Sequence, residues 1–177
     1  MNPYFVVEKP PSLDGWSPLK TLTDPSVLRE RAEAVRASFG GGPLRAAASV
    51  DFLGVAARLL SPVLAALAEA GTAPVMSLSS TWWRPAVPGP MRLALTADAR
   101  TSSLSDAVVA PVLVPLVAGY KTTFALSRKV LWGNTAAALN GAAVQLGRGR
   151  RDYRRKTCCL LYRLPHGGTC GDCVLTR

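Results

Sequence analysis

The sequence predicts a mainly α fold of the α+β class, with a helical core, one small β-hairpin or sheet, and an irregular C-terminal segment. Three observations lead to this prediction. Long apolar stretches with helix start and stop signals cover most of the chain, one short region is rich in β-forming residues, and all four cysteines lie near the C-terminus. At 177 residues, with 49% hydrophobic and 18% charged residues, the chain is expected to form a single compact domain.

The chain divides into three regions. Residues 1–22 contain four prolines and no sustained hydrophobic period, which predicts an extended N-terminal arm. Residues 23–147 are expected to form the helical core, with a β-hairpin at about residues 74–96. Residues 148–177 form a basic, cysteine-rich segment.

The first two helices have clear signals. Asp24 is placed as an N-cap with Pro25 at the first helical position, and the glycines at 40–42 should end that helix. Residues 43–70 are nearly all apolar, which predicts a helix buried on most faces. Pro62 lies inside this stretch and is expected to kink it or divide it into two helices.

The β element and the later helices follow. VMSLSSTWW and MRLALT are β-rich runs separated by RPAVPGP, so we expect a hairpin with Trp82, Trp83 and Arg84 near its tip. Helical character resumes over residues 107–132, and a final core helix is expected over residues 135–146.

Two uncharged stretches, residues 107–120 and 130–147, were considered as membrane spans. The first is short and contains two prolines, and the second carries two asparagines and a glutamine. Both are therefore interpreted as core helices, and no membrane span is predicted. The opening residues lack a basic leader and a long apolar run, so a cytoplasmic location is expected.

The positive charge is concentrated near the cysteines. Residues 1–147 carry 13 basic and 9 acidic groups, whereas residues 148–177 carry 8 basic and 2 acidic groups. The run RGRRDYRRK over residues 148–156 could be a solvated surface, a nucleic-acid patch with Tyr153 as its stacking aromatic, or a cationic environment for an anionic cofactor.

The cysteines follow the pattern C-C-x10-C-x2-C, within CCLLYRLPHGGTCGDC. In a cytosolic chain such a cluster is typical of a metal or redox site. The CxxC half suits either zinc or iron, but adjacent thiols in a regular strand point to opposite faces and would need an irregular backbone to meet a single ion. A 2Fe-2S cluster divides four ligands over two irons and accommodates the adjacent pair more easily, and nearby cations would stabilise its negative charge. Zinc and a thiol-disulfide arrangement remain open. The single histidine, His166, excludes a Rieske centre, which needs two.

With this cysteine pattern, the chain resembles the FhuF-like ferric-siderophore reductases, whose C-terminal 2Fe-2S segment has this order. The upstream residues Arg128, Trp132, Gly133 and Asn134 are similar to the family's Arg, Trp, Asn signature just before its last core helix. The resemblance covers about residues 125–177.

The resemblance implies a cytoplasmic oxidoreductase that passes one electron through a 2Fe-2S cluster to siderophore-bound Fe(III) and releases Fe(II) for iron assimilation. It implies a ferric siderophore as substrate, with hydroxamates expected before catecholates, and a ferredoxin or flavin-dependent reductase as electron donor. No nucleic-acid partner is expected. The implied cluster ligands are Cys158, Cys159, Cys170 and Cys173.

Other site residues are candidates with a simpler structural role beside the functional one. Trp82, Trp83 and Arg84 could bind the ferric complex or could pack the hairpin. Together with Arg128, Trp132 and Asn134 they form the candidate substrate site, although Trp132 could simply pack the cysteine segment and Asn134 could cap a helix. The candidate docking residues for an electron donor are Arg150, Arg151, Arg154 and Arg155.

Two functions of other classes stay open from the sequence. A zinc-binding, nucleic-acid-associated protein would explain the basic run and the four thiols. An iron-sulfur redox sensor would carry the same cluster without reducing a substrate.

Overall fold

The computed structural model describes residues 2–86 and 89–176. Its body is helical with two small sheets, which confirms the predicted fold class. The helices are α1 (Pro25–Ser38), α2 (Leu44–Ala70), α3 (Val114–Phe124) and α4 (Arg128–Gln145), and a π-helical stretch over Ser105–Leu113 leads directly into α3. The strands are β1 (Ser17–Pro18), β2 (Ala73–Pro74), β3 (Thr81–Arg84), β4 (Arg92–Leu95) and β5 (Arg100–Thr101).

Helix α1 begins and ends as the sequence predicts. The Asp24 carboxylate accepts a hydrogen bond from the Ser26 amide at 2.7 Å, which satisfies one of the free N–H groups at the helix start. At the other end Gly40 adopts a φ of 75°, a left-handed conformation that costs little without a Cβ. The prediction of the Asp24 cap and of the glycine stop is confirmed.

Helix α2 is the central element, and it packs against both α1 and α4. It is a single helix of 27 residues with Pro62 inside, so the division into two helices that Pro62 predicted is wrong. Proline removes one backbone N–H donor. Its neighbours Leu60 and Val63 are buried in the main core, and this packing on both sides of the proline holds the helix together.

Two helical segments, Leu44–Ala70 and Ser105–Phe124, are long and apolar enough to cross a membrane by length and composition alone. About half of each is buried against the rest of the protein: 56% of an apolar 18-residue stretch in the first segment, and 44% of one in the second. Core helices of soluble proteins pass the same test, so these two segments are weak evidence for a span.

The predicted hairpin is present but shorter than expected. Strands β3 and β4 pair antiparallel with Trp82 opposite Ala94, and β1 pairs with β3 on the other edge. Positions 87 and 88 of the predicted loop lie outside the described residues. The start of the predicted first strand instead forms a turn, because the Ser77 hydroxyl accepts from the Ser80 amide at 2.9 Å and competes with strand pairing. Strand β2 pairs with β5 in a separate two-stranded sheet.

The boundary between the last two helices is displaced from the prediction. The helical run ends at Phe124, not at Trp132, and α4 begins at Arg128. Ala125 takes a left-handed φ of 52°, and the Ser127 hydroxyl then accepts from the Val130 amide at 3.2 Å as the N-cap of α4. The predicted break near residue 133 is therefore wrong, because the Ser127 cap lies several residues upstream.

The N-terminal region is held to the body by a buried arginine of α2. Arg58 is 2% exposed and donates to the carbonyl oxygens of Met91 at 2.7 Å and Tyr4 at 3.0 Å, and also to that of Val6. Burial lowers the pKa of Arg58 to about 10. The guanidinium therefore joins the first residues of the chain to the start of β4.

A second buried polar group joins three helices. Asp51 of α2 accepts from Arg31 of α1 at 2.7 Å and from the Tyr120 hydroxyl of α3 at 2.5 Å. Burial, followed by the nearby Asp51 carboxylate, raises the pKa of Tyr120 well above its ordinary value of 10.0. The arrangement satisfies a carboxylate that would otherwise be costly to bury.

Substituting Tyr120→Phe tests this group. The variant should lose about 1–3 kcal/mol of unfolding free energy at neutral pH, because the buried Asp51 carboxylate loses one of its donors. Because the pKa of Tyr120 is higher in the folded protein than in the unfolded chain, the unfolded chain loses the tyrosine proton at a lower pH. The stability that the Tyr120 hydroxyl contributes is therefore complete below about pH 10 and declines as the pH rises further. Urea unfolding at neutral pH and at about pH 11 measures both effects. Tyr162→Phe, at an exposed tyrosine, is the control, and an alkaline loss as steep in Tyr120→Phe as in the wild type would contradict the assignment.

Candidate metal centre

The cysteine segment is irregular, with one turn of 3-10 helix at Leu161–Arg163. Cys159 and Cys173 are buried, Cys158 and Cys170 are half-buried, and all four thiols are free. The Sγ atoms of Cys159 and Cys170 lie 3.6 Å apart. The segment therefore brings one thiol of the adjacent pair to the CxxC turn, across ten intervening residues.

Backbone amides donate to the other two sulfurs. The Leu160 N–H points at Cys158 Sγ at 3.3 Å, and the Leu175 N–H points at Cys173 Sγ at 3.4 Å. In each case the donor is two residues after the cysteine. Hydrogen bonds of this kind to cysteine sulfurs help to set the potential of a bound iron-sulfur centre.

Leu160 provides the irregular backbone that adjacent thiols need. It adopts a left-handed φ of 69°, which is unfavourable for a residue with a Cβ. Its side chain packs against both hydrophobic clusters of the protein, and this packing offsets the strain. The turn at Leu160 changes the chain direction directly after Cys159.

Gly133 of α4 lets the segment approach the helical body closely. A Cβ at Gly133 would stand 1.9 Å from the Thr157 hydroxyl oxygen, so only glycine fits there. The same hydroxyl donates to the Lys129 carbonyl at 3.2 Å. Thr157, which immediately precedes Cys158, is thereby fixed on the surface of α4.

Asn134 holds the next residue upstream. It is fully buried, and its amide nitrogen donates to the Ser49 carbonyl of α2 at 2.8 Å and contacts the Ser49 hydroxyl at 3.1 Å. Its Oδ1 accepts from Arg155. Asn134 lies inside α4, so the alternative role of helix cap is wrong, because its side-chain amide is committed to Ser49 and Arg155.

Arg155 does not belong with the exposed arginines. It is 2% exposed, its backbone N–H donates to the Asp172 carbonyl at 3.1 Å, and its Nε donates to the Thr157 carbonyl at 3.1 Å. Its predicted role in docking an electron donor is wrong, since the guanidinium lies inside the protein. The Nη1 atom is buried and has no hydrogen-bond partner in the described part of the chain.

The remaining arginines of the basic run are at the surface. Arg150, Arg151 and Arg154 are exposed. Arg150 pairs with Asp152 at 2.9 Å, and that hydrogen bond raises the pKa of Arg150. Arg154 donates to the Thr176 hydroxyl at 3.2 Å.

The loop between the cysteine pairs rests on the turn between α1 and α2. A Cβ at Gly42 would stand 3.1 Å from the Pro165 ring, and one at Gly40 would stand 3.2 Å from the His166 ring. Gly40 and Gly42 therefore do more than end α1, because they make room for the cysteine loop. His166 is exposed and lies beside Gly40.

Three of the six candidate substrate residues, Trp82, Trp83 and Arg84, lie on strand β3. Trp83 is 7% exposed and donates to the Thr21 hydroxyl at 2.9 Å, and Arg84 stacks over Trp16 at 4.6 Å. Trp82 shares strand β3 with them, and within the described residues no hydrogen bond or ion pair connects this strand to the cysteine segment. The aromatic strand therefore packs the sheet against the body.

Arg128 and Trp132 lie on the first turns of α4. Arg128 is exposed, and Trp132 is partly buried against the main hydrophobic core. Of the four residues of the Arg, Trp, Gly, Asn signature, Gly133 and Asn134 make the contacts to the cysteine segment. The signature lies within α4, not before the last helix, because α4 begins at Arg128.

A groove next to the CxxC turn was not predicted. It has a volume of about 500 Å³, and we call it the α4 groove. Asn140 frames it by bonding both the N–H and the C=O of Arg150 at 3.0 Å. The sequence contained a signal for this contact, because Asn140 is a polar residue on the mostly apolar helix α4 and such side chains need hydrogen-bond partners. The groove is lined by Leu53, Ala137, Asn140, Gly141, Val144, Gln145, Arg150, Arg151, Tyr153, Gly171 and Asp172.

The free thiol of Cys170 is protonated at neutral pH. Burial, followed by the neighbouring Cys159 and Asp172, raises the pKa of Cys170 to about 12. A metal that binds this sulfur must displace the proton, so binding there releases H⁺.

The donor set fits an iron-sulfur cluster. A 2Fe-2S cluster takes two protein thiolates on each iron, four in all. The four free thiols, the two amide donors and the buried cation Arg155 all suit a dinuclear anion.

Comparison with known proteins agrees with this. Residues 155–175 match the family model of the FhuF 2Fe-2S C-terminal domain. No curated protein matches the chain. The matched range begins at Arg155 and includes all four cysteines, and it confirms the FhuF resemblance and the 2Fe-2S cofactor for this segment. Residues 155–175 are thus similar to the FhuF 2Fe-2S C-terminal domain, and Gly133 and Asn134 fix this segment to the helical body.

Proposed function

We propose that this protein is an oxidoreductase that transfers one electron to Fe(III) held by a siderophore, in the cytoplasm. The observation that carries the proposal is the position of the FhuF-like 2Fe-2S segment, whose CxxC turn borders the α4 groove through Gly171 and Asp172. Fe(II) has a lower charge than Fe(III) and binds hard oxygen ligands more weakly. Reduction would therefore release iron without destroying the chelator.

We propose Cys158, Cys159, Cys170 and Cys173 as the cluster ligands. Two thiolates bound to one tetrahedral ion at about 2.3 Å lie about 3.8 Å apart. The 3.6 Å between the sulfurs of Cys159 and Cys170 is close to this, so we assign these two to one iron and Cys158 with Cys173 to the other. The cluster, when bound, supplies single electrons at a potential that the protein adjusts.

The α4 groove is the proposed docking place for the ferric complex. Its volume of about 500 Å³ lies within the usual range for ligand sites. The Tyr153 ring offers a stacking surface, and Asn140 and Gln145 offer hydrogen bonds to chelator oxygens. We propose a ferric hydroxamate complex as the substrate, as the resemblance to the FhuF-like reductases implies, and Arg150 and Arg151 add positive charge to the groove.

The electron donor would approach the exposed arginines. Arg150, Arg151 and Arg154 present positive charge beside the cysteine segment, which would attract an acidic ferredoxin or a flavin-dependent reductase. The same surface borders the groove, so donor and substrate would both come within reach of the cluster.

The first prediction concerns the ligands. Anaerobically purified protein should be red-brown, with about two irons and two sulfides per chain. Changing any one of the four cysteines to Ser should alter the visible and EPR spectra, because a hard oxygen replaces a thiolate. Thr169→Ala, at an exposed position in the same loop, is the control. An unchanged spectrum for Cys158→Ser or Cys159→Ser would show that the ligand set is wrong, and colourless protein with one zinc would exclude the proposed function.

The second prediction concerns the groove. Gly141 lines it, and a Cβ there would meet nothing within 4 Å, so Gly141→Leu should fill the groove without disturbing the helix. Reoxidation of the dithionite-reduced protein by ferric hydroxamate, followed under a ferrous trap, should slow about tenfold or more. Reoxidation by ferricyanide, which needs no groove, should be unchanged.

Gly54→Leu is the matched control, since this exposed glycine of α2 also has open space around it and does not line the groove. Equal rates in the wild type and Gly141→Leu would place the substrate elsewhere. Failure of the wild type to reoxidise with several hydroxamate and catecholate complexes would exclude the reductase and favour a redox sensor.

The third prediction concerns the donor. Replacing Arg150, Arg151 and Arg154 together with Gln should slow cluster reduction by an acidic ferredoxin about tenfold at low salt, because the three charges steer its approach. High salt should remove the difference, since exposed charges are screened. Stopped-flow mixing without siderophore measures donor delivery alone. A rate that does not depend on the three charges or on salt would show that the donor docks elsewhere.

A further inference from the structure

Arg155 is a buried cation without a carboxylate partner in the described part of the chain. The ion pairs found there join Arg31 to Asp51, Arg36 to Glu33, Arg84 and Arg92 to Glu8, and Arg150 to Asp152. None involves Arg155, although its side chain is almost completely removed from water. A buried guanidinium keeps its proton and is strongly disfavoured unless an anion lies close by.

The orientation of Arg155 is fixed by three contacts. Its Nη2 donates to Asn134 Oδ1, its Nε donates to the Thr157 carbonyl at 3.1 Å, and its backbone N–H donates to the Asp172 carbonyl at 3.1 Å. Thr157 immediately precedes Cys158, and Asp172 immediately precedes Cys173. The arginine therefore lies where the two ends of the cysteine segment meet.

The remaining donor, Nη1, has no partner, although it is buried. A neutral acceptor would satisfy the Nη1 donor but would not neutralise the positive charge of the guanidinium. The contacts that are present supply only neutral oxygens, from an amide and from peptide carbonyls. The nearby Asp172 offers its backbone carbonyl to Arg155, while its side chain lies against Cys170. Among residues 2–86 and 89–176, no anion answers either the charge or the free donor of Arg155.

We infer that Arg155 is the internal counter-ion of the iron-sulfur cluster and donates a hydrogen bond from Nη1 to one of its sulfurs. The inference rests on the cluster ligands proposed above, but not on the identity of the substrate. A 2Fe-2S cluster with four thiolates carries a charge of about −2 when oxidised and about −3 after it gains one electron. A fixed positive charge stabilises the reduced form more than the oxidised form, so Arg155 raises the reduction potential.

This role differs from that of the exposed arginines. A buried charge is screened little by salt, whereas exposed charges lose most of their effect at high ionic strength. Arg155 therefore acts on the equilibrium potential, and Arg150, Arg151 and Arg154 act on the rate of encounter. Asn134 is a positioning residue, because it holds the guanidinium through Oδ1 and is itself held by Ser49.

Redox titration of the cluster, with mediators and without siderophore, tests the inference. Arg155→Gln should lower the ratio of reduced to oxidised cluster at a fixed ambient potential about tenfold, which corresponds to about 59 mV for a one-electron couple. Arg155→Lys, which keeps the charge but has fewer donors, should show a smaller fall. Arg154→Gln, the matched change at the neighbouring exposed arginine, should change the ratio less than about twofold, as expected for a screened surface charge.

A second variant covers the case in which Arg155→Gln does not hold the cluster. Asn134→Asp keeps the side-chain shape and the bond to Arg155 but places a carboxylate against the guanidinium, and it exchanges the donation to the Ser49 carbonyl for acceptance from the Ser49 hydroxyl. It should cancel the positive charge and lower the ratio in the same direction. A ratio in Arg155→Gln or Asn134→Asp that equals the ratio in Arg154→Gln would overturn the inference. A wild type that reduces no ferric siderophore would contradict the proposed reductase and leave this measurement valid.

Discussion

The attachment of the cysteine segment depends on the side-chain amide of Asn134. It binds Ser49 of α2 with its nitrogen and Arg155 with its oxygen, so a single buried group joins the central helix, α4 and the first residue of the 2Fe-2S segment. Gly133, which precedes Asn134 in α4, lets Thr157 approach the helix closely. Asn134 holds Arg155, and Arg155 in turn bonds to Thr157, next to Cys158, and to Asp172, next to Cys173. The geometry of the thiols therefore depends on the Asn134 amide, which makes no hydrogen bond to a cysteine within the described residues.

Helix α2 carries the other buried polar contacts. Ser49, Asp51 and Arg58 are all buried, and they bind α4, the α1–α3 pair and the N-terminal region respectively. This explains how a helix apolar enough to resemble a membrane span can organise a folded body. Each of these three buried polar residues is paired with other elements, so they specify which neighbour packs where, while the apolar residues of α2 supply most of the burial energy.

The sequence was informative where the signal is local. The Asp24 cap, the glycine stop after α1, the hairpin and the cysteine pattern depend on neighbouring residues, and these predictions are confirmed. Two of the errors concern features set by distant contacts. Pro62 does not divide α2 because core packing continues on both sides, and Arg155 resembles its neighbours in the basic run until Asn134 and the Thr157 carbonyl place it inside. The break at Ala125 was missed because alanine gives no turn signal.

The basic run separates into two electrostatic functions because burial changes what a charge can do. Three arginines in water act at a distance, weakly and in a salt-dependent way, which suits the attraction of a partner that must also leave. One arginine out of water acts at short range on a fixed neighbour, which suits the control of an equilibrium. The proposed reductase would need both, since the driving force for reducing Fe(III) must stay constant while donors bind and dissociate. Placing the two kinds of charge side by side in one short run lets α4 position both, through Asn134 for the buried arginine and Asn140 for the exposed Arg150.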